Sequence, residues 1–324
     1  MTSLLANVVS REPLAAADGR SGSLLERVVL ADGRTLVVKH VLDGGDWIMR
    51  ATGDHGRAAE LWSSGVLARV PEVIDHAVVG AEQVAGGWVV IMRDVSAALV
   101  PDHARISRDD SRRVLEAAAA LHAAFADDPP LALCSLADRY RFLSPATARR
   151  EAAGADEVPG LIGRGWERFA ELAADEVAGP VLAIGERPES FAAALSRFPS
   201  TLIQGDLKLG NLGFSGDRVV MLDWGTQTGW APAAVEVAWY LAINWSRIDA
   251  TREQVLDDFR AAEGEGHDEG ALLLALLGGL VQLGWDKALH ATGHPDPAVR
   301  AREAADLAWW CDRARDALDV WSPP

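Results

Sequence analysis

The first third of the chain alternates short apolar runs with turn residues, a pattern typical of antiparallel strands. Two β-branched runs within residues 23–41 flank Asp32-Gly33, which is the strongest short-range signal for a β-hairpin. Residues 53–68 then place apolar side chains at helical spacing, and residues 87–94 return to a buried strand. The pattern predicts an N-terminal antiparallel sheet with one main helix.

The pattern changes to helical spacing after about residue 95. Residues 109–125 form an Ala-rich run with an acidic start, which is typical of a helix N-terminus. Most of the later chain outside residues 202–225 has the same character. We therefore predict an α+β fold with a β-rich part over residues 1–94 and a mostly helical part over residues 95–324.

Two segments of the later chain have other characters. The longest apolar segment, residues 271–285, is too short to span a bilayer and contains Gln282, so it predicts a buried core helix. Residues 263–270, EGEGHDEG, predict a polar acidic loop.

Composition limits the classes of partner. The 324 residues carry a formal net charge of -16, which disfavours nucleic acid and anionic membrane surfaces and is compatible with a cationic small molecule. The N-terminal residues lack the basic start and apolar core of a signal peptide, which predicts a cytoplasmic protein. Cys134 and Cys311 are too few and too far apart for a disulfide framework or a metal cluster, and we interpret them as ordinary thiols.

Candidate chemistry is concentrated in residues 202–225, LIQGDLKLGNLGFSGDRVVMLDWG. Between short apolar runs this segment places four polar residues, Asp206, Lys208, Asn211 and Asp223. A hairpin that turns near Asp217 places Asn211 opposite Asp223, with Cβ atoms about 4.5 to 5.5 Å apart.

An amide oxygen and a carboxylate at the end of a hairpin suit Mg²⁺, which takes one or two protein oxygens together with phosphate oxygens and water. Asp206 enters from the preceding loop and reaches the same place. The alternative interpretation is turn chemistry, since Asp and Asn often satisfy local backbone groups at strand ends. The four residues together, in this order, favour a phosphate and metal site.

The motif GDLKLGN, residues 205–211, followed by LDWG, residues 222–225, resembles the catalytic and metal loops of kinase-like phosphotransferases, most closely the aminoglycoside phosphotransferase family. The resemblance implies a bilobal, protein-kinase-like fold. It further implies roles for four residues: Asp206 as catalytic base, Asn211 and Asp223 as Mg²⁺ ligands, and Lys208 in contact with the transferred phosphate.

Two positions depart from the family pattern. Gln204 stands where histidine is usual, and Glu236, in a later helical segment, stands where the family has an aspartate that braces the catalytic loop. Glutamine can hydrogen-bond a backbone group but cannot titrate. The departures therefore concern the brace of the loop more than the transfer chemistry.

The resemblance also assigns nucleotide-binding residues in the N-terminal part. Lys39 is a lone cation on an apolar strand, where the family has the lysine that holds nucleotide phosphates, and Glu60 would pair with it. Taken alone, a strand lysine is more often an exposed edge residue, and glutamates are common on surface helices.

The remaining nucleotide-binding predictions are backbone sites. Ser21, Gly22 and Ser23 lie where the family has its loop over the phosphates, and glycine permits close backbone approach. Residues 91–96, including Met92 and Asp94, fall where the two lobes join and would bind the adenine edge through their backbone.

The acceptor is the least constrained part of the prediction. We expect C-terminal residues to build its pocket, and an acid-lined pocket with a tryptophan would suit an amino sugar or aminoglycoside. The candidates are Asp249, Glu263, Glu265, Asp268, Glu269, Trp285 and Asp286. The alternative is that the acids form a solvated face and the tryptophan fills the core. His122 is interpreted as a satisfied helix residue packed between the lobes.

The resemblance implies an O-phosphotransferase that uses ATP or GTP with Mg²⁺ and transfers the γ-phosphate to a hydroxyl of a small polar molecule, such as an aminoglycoside-like antibiotic, an amino sugar, another sugar or an amino alcohol. The alternative is a non-catalytic nucleotide-binding module with a kinase-like fold. A catalytically inactive module has no physical need for Lys39, Asp206, Asn211 and Asp223 together, so we favour the enzyme.

Overall fold

The computed structural model describes residues 4–14, 24–126, 129–130 and 133–321. Its N-terminal part contains, in chain order, β1 Val8–Leu14, β2 Leu25–Leu30, β3 Thr35–Leu42, α1 Trp47–Thr52, α2 Arg57–Ser63, β4 Ile74–Asp75, β5 Val78–Val84 and β6 Gly87–Arg93. Within the described residues, five strands form one antiparallel sheet in the order β1-β2-β3-β6-β5. The predicted hairpin is confirmed, because β2 and β3 pair with Val29 opposite Thr35.

Strand β3 presents its alternating side chains to two different surroundings. Leu36 and Val38 are buried in a small apolar core together with residues of β2 and β6. Val37, Lys39 and Val41 point to the other face of the sheet, where they line a cavity. Because successive strand side chains alternate between faces, the position of Lys39 in the strand directs its side chain into that cavity.

The helix predicted within residues 53–68 is shorter than its sequence pattern and is preceded by a second short helix. Helix α1 ends at Gly53, which caps it in a left-handed conformation. The side chain of Asp54 then accepts hydrogen bonds from the backbone amides of Gly56 and Arg57, where α2 begins. This turn separates two helices that periodicity alone cannot distinguish.

The C-terminal part is mostly helical. Its elements are β7 Ile106–Ser107, α3 Arg108–Ala124, α4 Leu136–Arg141, α5 Pro145–Glu151, α6 Val158–Leu172, α7 Asp175–Glu186, α8 Glu189–Leu195, β8 Thr201–Ile203, β9 Leu212–Ser215, β10 Arg218–Met221, β11 Gly229–Ala231, α9 Ala233–Asn244, β12 Ile248–Asp249, α10 Arg252–Glu263, α11 Glu269–Gly293 and α12 Pro297–Val320. The predicted Ala-rich helix is confirmed as α3, which begins where the side chain of Ser107 accepts the backbone N–H of Asp110.

Helix α11 is a core helix of the C-terminal part. By length and composition it could cross a membrane, with a mean hydropathy of 1.4 over its most apolar window, but 83% of that window is buried within the protein. It packs against α6, α9 and α12. The prediction of a buried helix over residues 271–285 is confirmed, but the argument that it is too short to span a bilayer is wrong, because the helix extends to 25 residues.

Three short strands position the site between the two parts. Strands β9 and β10 form a hairpin, and β4 pairs with β10 in parallel, so that Ile74 lies opposite Val219. The N-terminal part and the hairpin therefore share one small sheet. Strand β8, which leads into the GDLKLGN motif, pairs with β11.

Candidate active site

The second residue of the loop between β8 and β9 is a glycine that cannot be replaced without a clash. Gly205 has a φ of +88°, and a Cβ built on it would lie 2.1 Å from the carbonyl oxygen of Gln227. Its backbone N–H donates to Glu236 Oε1 at 2.6 Å. Glu236 is buried in α9, so the predicted brace by an acid at this position is present.

Asn244, at the end of the same helix, fixes the rest of this loop. Its Oδ1 accepts the backbone N–H of Leu209 at 2.9 Å, and its Nδ2 donates to the carbonyl of Leu207 at 2.7 Å. The sequence analysis did not identify Asn244. Helix α9 thus holds both ends of the segment that carries Asp206.

Asp206 is buried, and both of its carboxylate oxygens accept a hydrogen bond. Trp239 Nε1 donates to Oδ1 at 3.0 Å, and Asn211 Nδ2 donates to Oδ2 at 3.0 Å. Burial raises the pKa of Asp206 above the ordinary value of an aspartate, against the opposing charge of Lys208, and nearby Asp223 raises it further. Its carboxylate is therefore more basic than that of an exposed aspartate.

Asp223 has the opposite electrostatic character. Lys39 Nζ donates to Asp223 Oδ1 at 2.7 Å. Burial works against ionisation, but the charge and hydrogen bond of Lys39 outweigh it and lower the pKa of Asp223. The pKa of Lys39 is raised in return, because the attraction of Asp223 exceeds the effect of burial. The two side chains form a charged pair near neutral pH.

The predicted register of the β9–β10 hairpin is wrong by one residue. Ser215 lies opposite Arg218, which leaves a two-residue turn of Gly216 and Asp217 with Gly216 at a φ of +60°. The backbone of Asn211 therefore meets Leu222, whose N–H donates to its carbonyl at 2.9 Å. Asp223 lies beyond the paired strands in a left-handed conformation, with a φ of 57°.

Gln204 joins the two segments that carry the carboxylates. Its Nε2 donates to the carbonyl oxygens of Leu222 and Asp223 at 2.7 and 3.0 Å, and its Oε1 accepts the backbone N–H of Asp206 at 2.7 Å. Glutamine in place of the usual histidine therefore provides a brace with three hydrogen bonds.

Residues of these two segments line two adjoining cavities. The larger cavity has a volume of about 620 Å³ and is lined by residues that include Asn211. The smaller cavity has a volume of about 280 Å³, and Asp206 lines it. Lys39, Lys208 and Asp223 line both cavities. The cationic and anionic groups thus lie along the boundary between two spaces.

The side chain of Lys208 is directed into this boundary. It forms no hydrogen bond or ion pair with any residue that the structure describes. Its ammonium group is therefore available to an anionic ligand. Its charge also acts on Asp206, whose pKa it lowers against the effect of burial.

The donor atoms of Asn211 and Asp223 fit a divalent cation bound together with a phosphate. Asn211 Nδ2 donates to Asp206, and no hydrogen bond among the described residues uses Asn211 Oδ1. Asp223 Oδ2 is a second oxygen that Lys39 does not occupy. The described residues contain no closed group of three His, Cys, Asp or Glu residues that could hold a metal. One or two protein oxygens suit Mg²⁺ that shares its ligands with phosphate and water.

Met92, Asp94 and residues 21–23 are the other residues that we predicted to bind the nucleotide. Met92 lines the larger cavity. Asp94 accepts hydrogen bonds from Arg27 Nε at 2.8 Å and from the backbone of Ser96. Residues 21–23 lie outside the described residues.

The predicted ion pair between Lys39 and Glu60 is wrong. Glu60 is exposed on α2, whereas Lys39 bonds Asp223. The charge of Asp54 also raises the pKa of Lys39, and Asp54 lines both cavities. The carboxylate that lies near Lys39 is therefore that of Asp54, which is buried at the start of α2. It is not that of Glu60, in the middle of the helix.

Arg57 connects α2 to the segment that carries Asp223. Its buried Nη1 donates to the carbonyl oxygens of Gly225 and Thr226, both at 2.9 Å. Its Nη2 donates to the carbonyl of Thr52 at 3.2 Å. The N-terminal part is therefore tied to this segment through Lys39 and through Arg57.

None of the carboxylates that we named as acceptor-pocket candidates lines either cavity. Among the described residues that line the smaller cavity, only Trp285 comes from that candidate set. Arg105 pairs with Asp249, and Arg260 pairs with Glu269, both away from the cavity. Glu263 ends α10 and is not part of an acidic loop.

Glu263 instead belongs to a buried group with His122. His122 Nδ1 bonds Glu263 Oε1 at 2.6 Å, and its Nε2 bonds Glu236 Oε2 at 2.9 Å. Burial alone would lower the pKa of His122, but the two carboxylates raise it to about 9. His122 is a satisfied helix residue, as expected, but it lies among helices of the C-terminal part and not between the lobes.

Sequence comparison identifies the family to which this site belongs. The model of the phosphotransferase enzyme family matches residues 19–273. The chain belongs to the phosphotransferase enzyme family. No curated protein matches the chain in sequence. Family membership makes it a transferase of the small-molecule kinase type and implies ATP-dependent phosphoryl transfer to a hydroxyl.

Solved structures with the same fold are distant in sequence. The choline kinase of Streptococcus pneumoniae has 10% identity and a TM-score of 0.54, over 95% of each chain. An aminoglycoside phosphotransferase of Alicyclobacillus acidocaldarius has 15% identity and a TM-score of 0.51, over 97% of this chain and 92% of its own. One of Streptomyces rimosus, in complex with ADP and streptomycin, has 18% identity and a TM-score of 0.52, over 84% of this chain and 92% of its own. The predicted kinase-like fold is confirmed.

Several residues that contact the candidate site were missed by the sequence analysis. Trp239 and Asn244 contact the loop from α9, and Arg139 Nη1 donates to the carbonyl of Gly205 at 2.9 Å. A tryptophan, asparagine or arginine in a helix does not usually support an active-site loop. Only the contacts in the structure show that these three residues do so.

Proposed function

We propose that Asp206 positions and deprotonates the acceptor hydroxyl while Lys39, Lys208, Asn211 and Asp223 hold the triphosphate of ATP with Mg²⁺. The observation that carries the proposal is the placement of Asp206 in the smaller cavity, beside a larger cavity that shares both lysines and Asp223. Phosphoryl transfer depends mainly on alignment and on neutralisation of charge. Adjoining acceptor and nucleotide spaces with cations at their boundary support both.

The transfer step assigns a task to the buried carboxylate. The acceptor oxygen forms a bond to the γ-phosphorus, the bond from that phosphorus to the β–γ bridging oxygen breaks, and the electron pair leaves with ADP. The hydroxyl proton goes to Asp206. Trp239 donates to one carboxylate oxygen of Asp206, and Asn211 donates to the other. The carboxylate is therefore oriented, and each oxygen still has a lone pair free. Its raised pKa makes it a better proton acceptor.

Lys39, Lys208 and Asp223 contribute to the reaction through their charges. Lys39 keeps Asp223 ionised, and Lys208 has its ammonium group available at the boundary of the cavities. Asn211 and Asp223 would hold Mg²⁺, which supplies neutralisation of the phosphate oxygens when it is bound. Lys39 and Asp223 hold one another, and Asp206 holds Asn211, so these side chains need little reorganisation when ligands bind.

The experiment that tests this function is an acceptor screen. Purified protein is incubated with Mg²⁺ and ATP or GTP and with a panel of simple alcohols, sugars, amino alcohols and aminoglycosides. We expect Mg²⁺-dependent ADP or GDP release together with one monophosphorylated product, whose phosphate position is read by mass spectrometry and NMR. Tight nucleotide binding without Mg²⁺, with no transfer to any acceptor, would instead support a non-catalytic module.

A further inference from the structure

The smaller cavity has aromatic and aliphatic walls. Among the described residues, four aromatic rings line it, those of Trp47, Phe142, Trp239 and Trp285. Trp47 stacks on Phe142 with ring centroids 6.5 Å apart, and Phe142 lies 6.3 Å from Trp239. All four are nearly fully buried. Rings that pack on one another have little freedom, so this wall is formed before a ligand binds.

The charged groups around this cavity already have partners or tasks. Apart from the residues proposed for phosphoryl transfer, the charged side chains in its described lining are Asp46, Asp54 and Arg247. Asp46 caps α1, and Asp54 accepts the first amides of α2. Arg247 donates to two backbone carbonyls within residues 101–104. Apart from the residues proposed for phosphoryl transfer, the carboxylates of the described lining thus already accept hydrogen bonds within the protein.

A buried cation lies behind one wall. The guanidinium carbon of Arg139 is 5.4 Å from the ring centroid of Trp239, and Arg139 is 1% exposed. Within the described residues it forms no ion pair, and its Nε and Nη2 have no hydrogen-bond partner. Like charges repel strongly in a buried environment. This arginine therefore disfavours a second cation on the same ring.

One polar atom in the lining lacks a partner. Gln227 is 4% exposed and lines the cavity, and among the described residues nothing donates a hydrogen bond to its Oε1. A buried acceptor without a donor is unfavourable, and most such atoms in proteins are paired. The oxygen itself is fully buried, so a ligand that carries a donor would gain affinity once the Gln227 side chain rotates toward the cavity.

We propose that the acceptor is a compact, uncharged alcohol with an aromatic or branched aliphatic body and one further hydrogen-bond donor, which Gln227 Oε1 receives. The inference rests on the proposed function, because that function places the acceptor beside Asp206. A volume of about 280 Å³ lies just below the about 300 to 1,000 Å³ of ligand pockets, which limits the acceptor to a small molecule. Apolar walls favour an apolar body, and an ammonium group placed against them would lose hydration that the walls do not replace.

The test compares three alcohols that share a phenylpropanol body and differ only at the second carbon. They carry a methyl, a hydroxyl or an ammonium group: 2-methyl-3-phenylpropan-1-ol, 3-phenylpropane-1,2-diol and protonated 2-amino-3-phenylpropan-1-ol. Binding to the full chain with Mg²⁺ and ADP is measured by calorimetry. We expect the two uncharged alcohols to bind at least about tenfold more tightly than the ammonium compound. Equal or reversed affinities, or binding of none of the three, overturn the inference.

Phosphorylation of the same alcohols is measured separately with ATP and mass spectrometry. An uncharged alcohol that binds but is never phosphorylated contradicts the proposed function and leaves the ligand class established. The two failures are therefore distinguishable.

Two variants test the walls of the cavity. Val158 is half-buried at the start of α6 and lines the cavity, so Val158→Glu adds a carboxylate where a helix tolerates one. We expect it to improve binding of the ammonium compound relative to the methyl compound by about fivefold. Val158→Gln is the uncharged control, and a similar gain in it would contradict the charge argument.

The second variant, Gln227→Leu, removes the acceptor oxygen. We expect the diol to lose about fivefold in affinity and the methyl alcohol to bind as before or better. Diol affinity that is unchanged in this variant overturns the assignment of Gln227. Thermal unfolding identifies any variant that does not fold, and the comparison of the three alcohols with the unmodified chain needs no variant.

Discussion

The two carboxylates of the cleft lie in segments that are held in different ways. The loop with Asp206 is fixed by groups of the helical part, chiefly Glu236 and Asn244. Asp223 is held by Lys39, a residue of the N-terminal sheet. Burial raises the pKa of Asp206, whereas Lys39 lowers that of Asp223. Carboxylates whose pKa values are moved apart are suited to different tasks.

The difference shows how one short motif can supply two functions. Asp206 has a basic carboxylate next to the smaller cavity, which suits acceptance of a proton. Asp223 keeps its negative charge because Lys39, on the N-terminal sheet, lies beside it. This charge suits a role on the nucleotide side of the site. Changes to the two residues should therefore have separable effects.

Asp206→Ala should have the largest effect. We expect transfer to fall at least about 10⁴-fold, because the proton acceptor is removed, while nucleotide affinity changes little. Steady-state kinetics and calorimetry with Mg²⁺ and ADP measure the two quantities. Asp206→Asn keeps the shape and the contact with Trp239 and serves as the control. Transfer at the normal rate in either variant would remove Asp206 from the mechanism.

Asp223→Asn should affect nucleotide and Mg²⁺ binding as well as turnover. The change removes the counter-charge that lies 2.7 Å from the partly buried Lys39 ammonium group. We expect kcat/KM to fall about 10³-fold, with weaker binding of the nucleotide and a higher Mg²⁺ requirement. Titration of Mg²⁺ at fixed ATP measures this. If the variant lost turnover but bound Mg²⁺ and nucleotide normally, the separation between the two carboxylates would be incorrect.

The brace of the helical part should respond to pH through His122. Its folded pKa of about 9 exceeds the ordinary value, so its stabilising effect is complete below about pH 6.5 and is lost as the pH rises through about 9. Compared with His122→Gln, the wild type should lose on the order of 3 kcal/mol of relative unfolding free energy over that range. Chemical denaturation from pH 6 to 10 measures the difference.

Glu263→Gln provides the matched control for this pH effect. It removes one of the two carboxylates around His122 but leaves the bond from Glu236 to the catalytic loop. We expect the pH-dependent difference to shrink in this background. A difference that is constant across the range would mean that His122 does not carry a charge in the folded protein.

Gln204→His should have the smallest effect. A neutral imidazole offers one donor and one acceptor, so it replaces two of the three hydrogen bonds that Gln204 makes. We expect a loss of about 1 kcal/mol in stability and a few-fold decrease in kcat. Gln204→Leu, which removes all three bonds, should cost more. Equal effects of the two changes would show that the brace between the segments is unimportant.

The sequence alone could predict the elements whose spacing is local. The positions of Asp206, Asn211 and Asp223 in a loop and a hairpin follow from short-range patterns. The position of Lys39 on a strand also follows from them, but its place at the site came from the family resemblance. The hairpin register could not be fixed, because Ser215-Gly216-Asp217-Arg218 admits more than one central pair and the left-handed conformation of Gly216 decides between them.

Partners that lie far apart in the chain could not be predicted. Glu60 is a reasonable partner for Lys39 by order along the chain, but the turn at Asp54 ends one helix and starts another, which leaves Glu60 in solvent. Likewise, Glu263 reads as part of an acidic loop until α10 brings it beside His122. Long-range packing determines both outcomes, and residue type carries no signal for it.

The buried guanidinium of Arg57 has a consequence for motion of the protein. It donates to Gly225 and Thr226 on one side and to Thr52 on the other. Hydrogen bonds to a charged group each contribute about 1.5 to 3 kcal/mol, so separating the lobes at this point is costly. Residues 225 and 226 should accompany the sheet in any rocking movement, and exchange of nucleotide should proceed by displacement elsewhere along the rim.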